Sequence, residues 1–417
     1  MNFFFARRFF PLFVTQFLGA FNDNFLKNAL VVLITYRLAA EHGLNAGMLV
    51  AMAAGIFILP YFLFSALAGQ IADKIERTKI TQIVKLVEIV LMVLALIGFI
   101  FGNVWFLLFV LFGMGVHSTF FGPIKYALLP QHLSEKELLP GNAAIEAGTF
   151  LAILLGTIGG GLTILHPSGA ALTGGLLIAV AILGYITSHK IPDAPAPQPD
   201  LVIGWNIFRE TKKLLKESGR DKKIKRAIHG ISWFWFIGAT FLAQFPVLAK
   251  DIFHGDATIV TLFLTIFSIG IGIGSFLCNI LLKGRESLKL VFSAALGISV
   301  FAFHLFYTTS SQVAVIGDLI PLSEFLHDPR HWLVLFDLLG VAICGGLYIV
   351  PLYTFLQQQG DHQKMAQLIA ANNVMNAIYM VTSALLLMLA SAMHITIPQI
   401  FAFIGVINLV AAFSMRR

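Results

Sequence analysis

GQIADKIERTKI, residues Gly69–Ile80, is a short charged turn set between two long apolar runs. Its neighbours, near 46–72 and 79–101, are each long enough to cross a bilayer as helix, which takes about 20 apolar residues. The turn therefore reads as a loop between two membrane spans. Asp73 ends the first helix, and Lys74, Arg77 and Lys79 fill the turn. Gly69, lacking a Cβ, permits another helix to approach closely.

Working outward, similar runs recur along nearly all 417 residues. Counted from the N-terminus they lie near 9–37, 46–72, 79–101, 104–129, 141–165, 168–188, 227–250, 258–282, 288–308, 331–356, 365–393 and 396–415. The chain is 58% hydrophobic and 12% charged, about half the charged fraction of a soluble domain. An all-α polytopic membrane protein of about 12 helices is the expected class. The first run, about Phe9 to Ala39, is too long for a signal-peptide core and has no small-residue cleavage site, so it is expected to be retained. Cys278 and Cys344 both fall in apolar helices and read as small core residues, with no disulfide framework or metal motif.

The net charge of +7 is informative through its placement. With both ends on one side, the loops there hold Arg7, Arg8, Lys74, Arg77, Lys79, Lys136, Lys190, Lys283, Arg285, Lys289, Lys364, Arg416, Arg417 and the cluster Arg209 to Arg226. The opposite loops keep Arg37, Lys250 and Arg330. Positive loops face the cytoplasm, which places both termini there.

Residues 191–226 divide the spans six and six, giving an N-terminal bundle over 1–190 and a C-terminal bundle over 227–417. The linker opens with the proline-rich IPDAPAPQPD, which cannot continue a helix. WNIFRETKKLLKESGRDKKIKRAI follows, with Trp205, Phe208 and Leu215 among basic residues at helical spacing. It fits a basic amphipathic helix on the inner membrane surface or a solvated charged linker. The halves echo one another weakly: residues 122–146 laid beside 350–376 bring Pro123 to Pro351, and Asn142 with Glu146 to Asn372 with Asn376. A two-fold repeat with matching polar groups is a common transporter plan. Chance likeness in apolar sequence competes with that reading.

Seven charges remain inside the runs: Asp23, Lys27, Lys85, Glu88, Lys125, Glu146 and Asp337. Each costs roughly 2.5–3.5 kcal/mol at a helix centre, so they must pair or line a wet cavity. Asp23 lies roughly 20 Å along its helix, at 1.5 Å per residue. It precedes Lys27 by one turn, the favourable order for a helical ion pair, and Asn22, Asn24 and Asn28 flank the two. That group is either part of a transport site or an internal pair that orients packing. Lys85 and Glu88 are expected to bridge near the inner surface. Lys125 and Glu146, on adjacent helices, fit a structural bridge or a latch that opens onto an anionic headgroup. Phenylalanines in WFWFIGATFLAQF (233–245), with Phe263 and Phe267, either form an apolar wall facing that polar half or simply face lipid. A cavity polar on one side and apolar on the other suits an amphiphile. The polar loop 309–329, with Asp318, Glu324, His327 and Asp328, is an expected external segment near the entrance.

Gly69, Asp73 and Arg77 fit G-x-x-x-D-x-x-x-R, and here the sequence resembles the major facilitator superfamily. The resemblance implies two pseudo-symmetric six-helix bundles with alternating access, and gating by these three residues. Asp73 would rest on the cytoplasmic start of a helix from the other half. The corresponding GSFLCNILLKGRE (274–286) has Cys278 where the acid would be, implying a one-sided lock. QFLGAFNDNFLKNAL, FFGPIKYALLP and GNAAIEAGTFLAILLG together resemble the bacterial lysophospholipid transporter branch over nearly the whole chain. That branch implies inward movement of lysophosphatidylethanolamine and similar lipids across the inner membrane for re-acylation. A partner acyltransferase/acyl-carrier-protein synthetase is also implied. Asn22, Asp23, Asn24, Lys27, Lys125, Asn142 and Glu146 would then serve headgroup passage. Where the branch implies an arginine early in helix seven, this chain reads GATFLAQF (238–245), with Leu242. Lys27 becomes the candidate partner of Asp23.

A proton-coupled antiporter for drugs or amphiphilic metabolites is the alternative transporter, with Asp23 or Glu146 carrying the proton. Its helix-five motif is only partly matched by GTIGGG, which has no proline. A membrane-embedded lipid acyltransferase would need His-x4-Asp. His132 precedes Glu137 by five positions and His331 precedes Asp337 by six, so neither fits. No Walker loop, nucleophile elbow, metal-ligand cluster or nucleic-acid patch stands out, and no catalytic residue, metal or cofactor is expected.

Overall fold

The computed structural model describes residues 3–41, 43, 45–282, 288–310 and 319–415. Lys283, Arg285, Asp318, Arg416 and Arg417, singled out above, lie outside the described residues.

The first half contains α1 (Phe10–Leu33), α2 (Ala39–Glu41), α3 (Ala46–Lys74), α4 (Arg77–Phe101), α5 (Val104–His132), α6 (Glu135–Ile164) and α7 (Gly169–Ser188). A linker helix, α8 (Ile207–Ser218), follows. Then come α9 (Lys222–Val247), α10 (Ala257–Leu282), α11 (Leu288–Ser310), α12 (Leu322–His327), α13 (Pro329–Gln359), α14 (Met365–Ala392) and α15 (Ile397–Met415). Twelve of these elements are long and apolar enough to cross a membrane. Helix is the form an isolated segment must take in lipid, because every backbone polar group is then satisfied internally. Among the described residues the extended pairing is confined to a Gly255–Ile320 bridge.

Local chemistry sets the helix ends. Asn45 and Asn103 accept hydrogen bonds from Met48 N and Phe106 N, capping α3 and α5. Ser134 and Glu137 form a capping box at the start of α6, satisfying two otherwise orphaned donors. This start lies six residues before the apolar run at 141, because the first turn is polar. Gly102 ends α4 with φ 61°, a conformation glycine adopts without strain. The first helix of each half ends in a π-helical turn, Ile34–Leu38 and Leu248–Ile252.

The chain forms two compact units. Unit 1 is Met1–Gly141, Leu151–Lys225 and Gln357–Ala377; unit 2 is Asn142–Phe150, Arg226–Leu356 and Ile378–Arg417. The start of α14 thus belongs with unit 1, and a short piece of α6 with unit 2. Unit 1 is cored by side chains such as Phe25, Leu30, Met92, Leu107 and Met114. On α6, Gly156 and Gly160 face the α1 backbone: a Cβ at the first would strike Phe21 O, and at the second Phe25 O and Ala29 N. The GTIGGG stretch is therefore where α6 and α1 touch backbone to backbone.

The linker is fixed to unit 1. Leu214 of α8 packs against Ala66, Ala370 and Ala371. Gln70 accepts from Gly204 N and donates to Glu210, and Lys74 Nζ donates to Leu201 O at 2.7 Å. Trp205 and Phe208 stay exposed, at 74% and 80%, leaving an apolar ridge beside the lysines and arginines. In unit 2, short α12 is pinned by Phe325, which is fully buried against Phe253, Phe263 and His331.

Candidate functional site

The polar stretch of α1 serves four neighbouring helices at once. Asn22 is fully buried and donates to Glu88 Oε1 of α4 at 2.9 Å and to Leu177 O of α7. One residue on, Asp23 accepts from Ser118 Oγ of α5, at 2.8 Å and 2.7 Å to its two oxygens. Asn28 donates to Thr157 O of α6 at 2.7 Å. Successive residues point about 100° apart on a helix of 3.6 residues per turn, so one polar run reaches separate helices.

The expected ion pair does not close: among the described residues Asp23 and Lys27 form no salt bridge. Lys27 Nζ instead donates to Asn24 Oδ1 at 3.1 Å and lies 5.5 Å from the Phe57 ring centroid of α3. Asp23 is turned to Ser118. Both charges therefore have neutral partners, and both keep accessible surface. Asn24 donates to Ala20 O at 2.8 Å, which holds its oxygen towards Lys27.

Behind this pair lies a sealed ionic cluster. Lys85 Nζ donates to Glu88 Oε2 at 2.7 Å, and His117 Nε2 of α5 lies 3.2 Å from the same oxygen. Lys85, Glu88 and His117 are 0%, 1% and 4% exposed. Lys85 also sits 4.6 Å from the Phe121 ring centroid. The expected Lys85–Glu88 bridge is thus present, sealed within the bundle. Its desolvation is offset by three neighbours, Asn22, His117 and the Phe121 ring, which agrees with how buried charges are retained. His117 was not singled out from sequence; a histidine within the apolar GMGVHSTFF (113–121) was its signal. Unit 2 has a related device, Asp337 of α13 against His304 Nδ1 of α11, at 2.7 Å and 2.9 Å to its two oxygens.

Gly69, Asp73 and Arg77 come together. Arg77 is 1% exposed rather than filling a solvated turn. It donates to Asp73 Oδ1 at 2.7 Å, and to Ala72 O and Ala127 O at 3.1 Å each. Asp73 in turn accepts from Ala366 N, Gln367 N and Gln367 Nε2, each at 3.1 Å. A carboxylate at the exposed N–H groups of a helix start is electrostatically favoured. A Cβ at Gly69 would lie 2.8 Å from Ala370 Cβ and 2.9 Å from Gln367 Cα, so only glycine admits α14 this closely. A crevice of about 430 Å³ opens beside Arg77, lined by Pro130, Gln131, His362 and Gln363 among others.

The remaining expected site residues are placed as follows. Lys125, on α5 in unit 1, is half-buried with Nζ 4.8 Å from the Tyr126 ring centroid. Asn142 and Glu146 belong to the α6 segment of unit 2 and are fully buried; Asn142 donates to Thr354 Oγ1 of α13 at 3.2 Å. A headgroup reaching Glu146 would need its surroundings to open.

The aromatic wall of unit 2 needs correction. Phe241, Phe245, Phe263 and Phe267 are at most 3% exposed and stack on one another, so they fill the core. The apolar opening lies elsewhere, in a groove of about 460 Å³ between α9, α14 and α15. Leu386, Leu389, Met393 and Phe403 line it and remain exposed, while Thr240 and Ser383 hydrogen-bond each other at 2.7 Å in its floor.

Comparison with known proteins agrees with this architecture. The family model of the Major Facilitator Superfamily matches residues 12–384. The lysophospholipid transporter LplT of Escherichia coli O157:H7 (strain EC4115 / EHEC) is 26% identical over 398 residues, covering 94% of this chain and 90% of that protein. The LplT of Serratia proteamaculans (strain 568) is 26% identical over 365 residues, covering 86% and 81%. Among solved structures, the human organic anion transporter MFSD10 (TETRAN) superposes with a TM-score of 0.78 at 12% identity, covering 98% of this chain and 99% of that one. The E. coli fucose:proton symporter FucP gives 0.72 at 12% identity, covering 97% and 96%. At that identity these structures speak for the fold alone.

Proposed function

The chain belongs to the major facilitator superfamily, and we propose that it carries lysophospholipids, lysophosphatidylethanolamine among them, to the cytoplasmic leaflet of a bacterial inner membrane. The observation that carries this reading is the separated charge pair on α1. Asp23 and Lys27 are one helical turn apart, engage Ser118 and Asn24 instead of each other, and keep accessible surface. A zwitterionic headgroup presents the complementary ammonium and phosphate. A lysine ammonium is a compact point charge for phosphate, and Asp23 would take the amine.

Three further features support the reading. The relatives named as lysophospholipid transporters match over most of their length. The unit 2 groove offers an apolar surface of the kind a single acyl chain requires. The basic loops, with the exposed Trp205 and Phe208 beside them, fit a cytoplasmic side carrying both termini. In this account Lys125, Asn142 and Glu146 receive the headgroup after Asp23, Asn24 and Lys27, Asn22 braces α1 from the sealed side, and Gly69, Asp73 and Arg77 gate the inner end. The two halves alternate access, and a partner acyltransferase/acyl-carrier-protein synthetase re-acylates the product. Reconstituted protein should transfer fluorescent lysophosphatidylethanolamine between leaflets, and unlabelled zwitterionic lysolipid should compete better than a single-chain alcohol. Equal competition by the alcohol would show that the head is not recognised.

A further inference from the structure

The linker lies along the flank of α3 instead of hanging free of it. Leu201 O accepts from Lys74, Gln70 accepts from Gly204 N and donates to Glu210, and Leu214 packs on Ala66. Ala66 lies eight residues before the end of α3 at Lys74, roughly 12 Å at 1.5 Å per residue. With 29 residues, α3 is roughly 43 Å long, close to the full thickness of a bilayer with its headgroups. A segment pressed against the final turns of such a span lies at headgroup depth.

Local chemistry gives α8 two faces. Asn206 caps its start by accepting from Arg209 N at 3.0 Å. Glu210, Leu214 and Leu215 turn inward onto unit 1. Phe208, Arg209, Lys212, Lys213 and Lys216 are exposed, and their spacing puts them together on the opposite face. That face carries four cations and no acid, and Val202 and Trp205, both exposed, precede it. Cations beside large apolar side chains match a surface of anionic headgroups over acyl chains. An acidic protein surface would satisfy the cations but leave three apolar side chains at headgroup depth without a partner.

We propose that the outward face of α8 is a binding surface for anionic phospholipids of the cytoplasmic leaflet, and that lipid bound there clasps α3 to the start of α14. The inward face makes the connection. Leu214 packs on Ala66 of α3 and on Ala370 and Ala371 of α14, beside the point where Gly69 admits α14. Gln70, which follows Gly69 directly, is held by the linker through Gly204 and Glu210. Lipid that binds α8 while Leu214 is seated stabilises the seated arrangement by linkage. The consequence for transport rests on the reading of Gly69, Asp73 and Arg77 as the inner gate: a leaflet rich in anionic lipid holds that gate shut.

The test uses the full chain in nanodiscs of phosphatidylcholine with increasing phosphatidylglycerol. Trp205 emission is read as the difference between wild type and Trp205→Phe. Phosphatidylglycerol brominated on its acyl chains should quench it at a lower fraction than brominated phosphatidylcholine does. Arg209→Gln, Lys212→Gln, Lys213→Gln and Lys216→Gln combined should abolish that preference, each cation being worth roughly fivefold in lipid partition. Hydrogen–deuterium exchange at the Ala366 and Gln367 amides should slow at least about fivefold as phosphatidylglycerol is added, in wild type but not in the combined variant. Leu214→Ala should keep the quenching preference and lose the effect on exchange. Equal quenching by the two lipids, or a preference surviving in the combined variant, would overturn the binding surface. Exchange indifferent to phosphatidylglycerol would overturn the clasp. Neither readout needs transport, so lysophosphatidylethanolamine transfer in proteoliposomes of the same lipids separates the other readings. Protein that transfers none refutes the cargo reading, and transfer indifferent to phosphatidylglycerol while exchange slows refutes the gate reading.

Discussion

Replacing Asp73 by alanine should loosen the start of α14 by an amount the structure allows to be worked out. The carboxylate accepts three N–H groups there and pairs with Arg77, both residues being at most 1% exposed. Loss of a helix cap alone costs about 0.5–2 kcal/mol. Stranding the buried guanidinium dominates, at about 3–5 kcal/mol for a broken buried pair. Arg77 keeps its bonds to Ala72 O and Ala127 O and borders a crevice of about 430 Å³. The low end, about 3 kcal/mol, therefore applies. At about 1.4 kcal/mol per tenfold, opening of this segment becomes roughly a hundredfold easier. Hydrogen–deuterium exchange at the Ala366 and Gln367 amides reads it directly, and protection there should fall by about that factor. Asp73→Asn keeps an acceptor oxygen and should fall between wild type and alanine. Unchanged exchange in Asp73→Ala would refute the claim that this carboxylate holds the segment.

Glu88→Gln should be more damaging than Asp23→Asn, because it leaves Lys85 and His117 facing a neutral amide inside the bundle. A loss of about 3–5 kcal/mol should appear as a lower melting temperature in detergent, and equal melting of the two variants would contradict the assignment of Glu88 to the sealed cluster. Gly160→Val would drive a side chain into Phe25 O and Ala29 N, and the folded, monodisperse fraction should collapse; normal yield would mean that α6 does not touch α1 there. Ala390→Trp should fill the groove between α9, α14 and α15 and slow long-chain lysolipids more than short-chain ones, whereas equal slowing of both would remove the groove from the chain's route.

Much of this architecture was legible before any coordinates. The twelve apolar runs match twelve helices because bilayer thickness fixes the length of a span. The ends were less legible: α6 begins at Glu135 within polar sequence, where hydropathy is blind and the Ser134–Glu137 capping box decides. Gly69, Asp73 and Arg77 could be placed at a helix turn from their spacing, but burial of Arg77 depends on Ala127 O, fifty residues away. Spacing describes one helix at a time. It suggested that Asp23 pairs with Lys27, whereas the preferred partners, Ser118 and Asn24, depend on how α5 packs on α1 and on a local side-chain rotamer. The same limit hid His117, whose role comes from Glu88 on a different helix. It also made the phenylalanines of α9 and α10 read as a wall or as a lipid-facing surface, when Phe241, Phe245, Phe263 and Phe267 stack upon one another as core.

The most direct measurement is the initial rate at which labelled lysophosphatidylethanolamine crosses between leaflets in proteoliposomes holding equal amounts of wild-type or Asp23→Asn protein. If the carboxylate of α1 binds the ammonium of the headgroup, removing its charge should slow transfer at least about tenfold, the equivalent of about 1.4 kcal/mol, with folding unaltered. Equal rates in the two proteins would contradict the account.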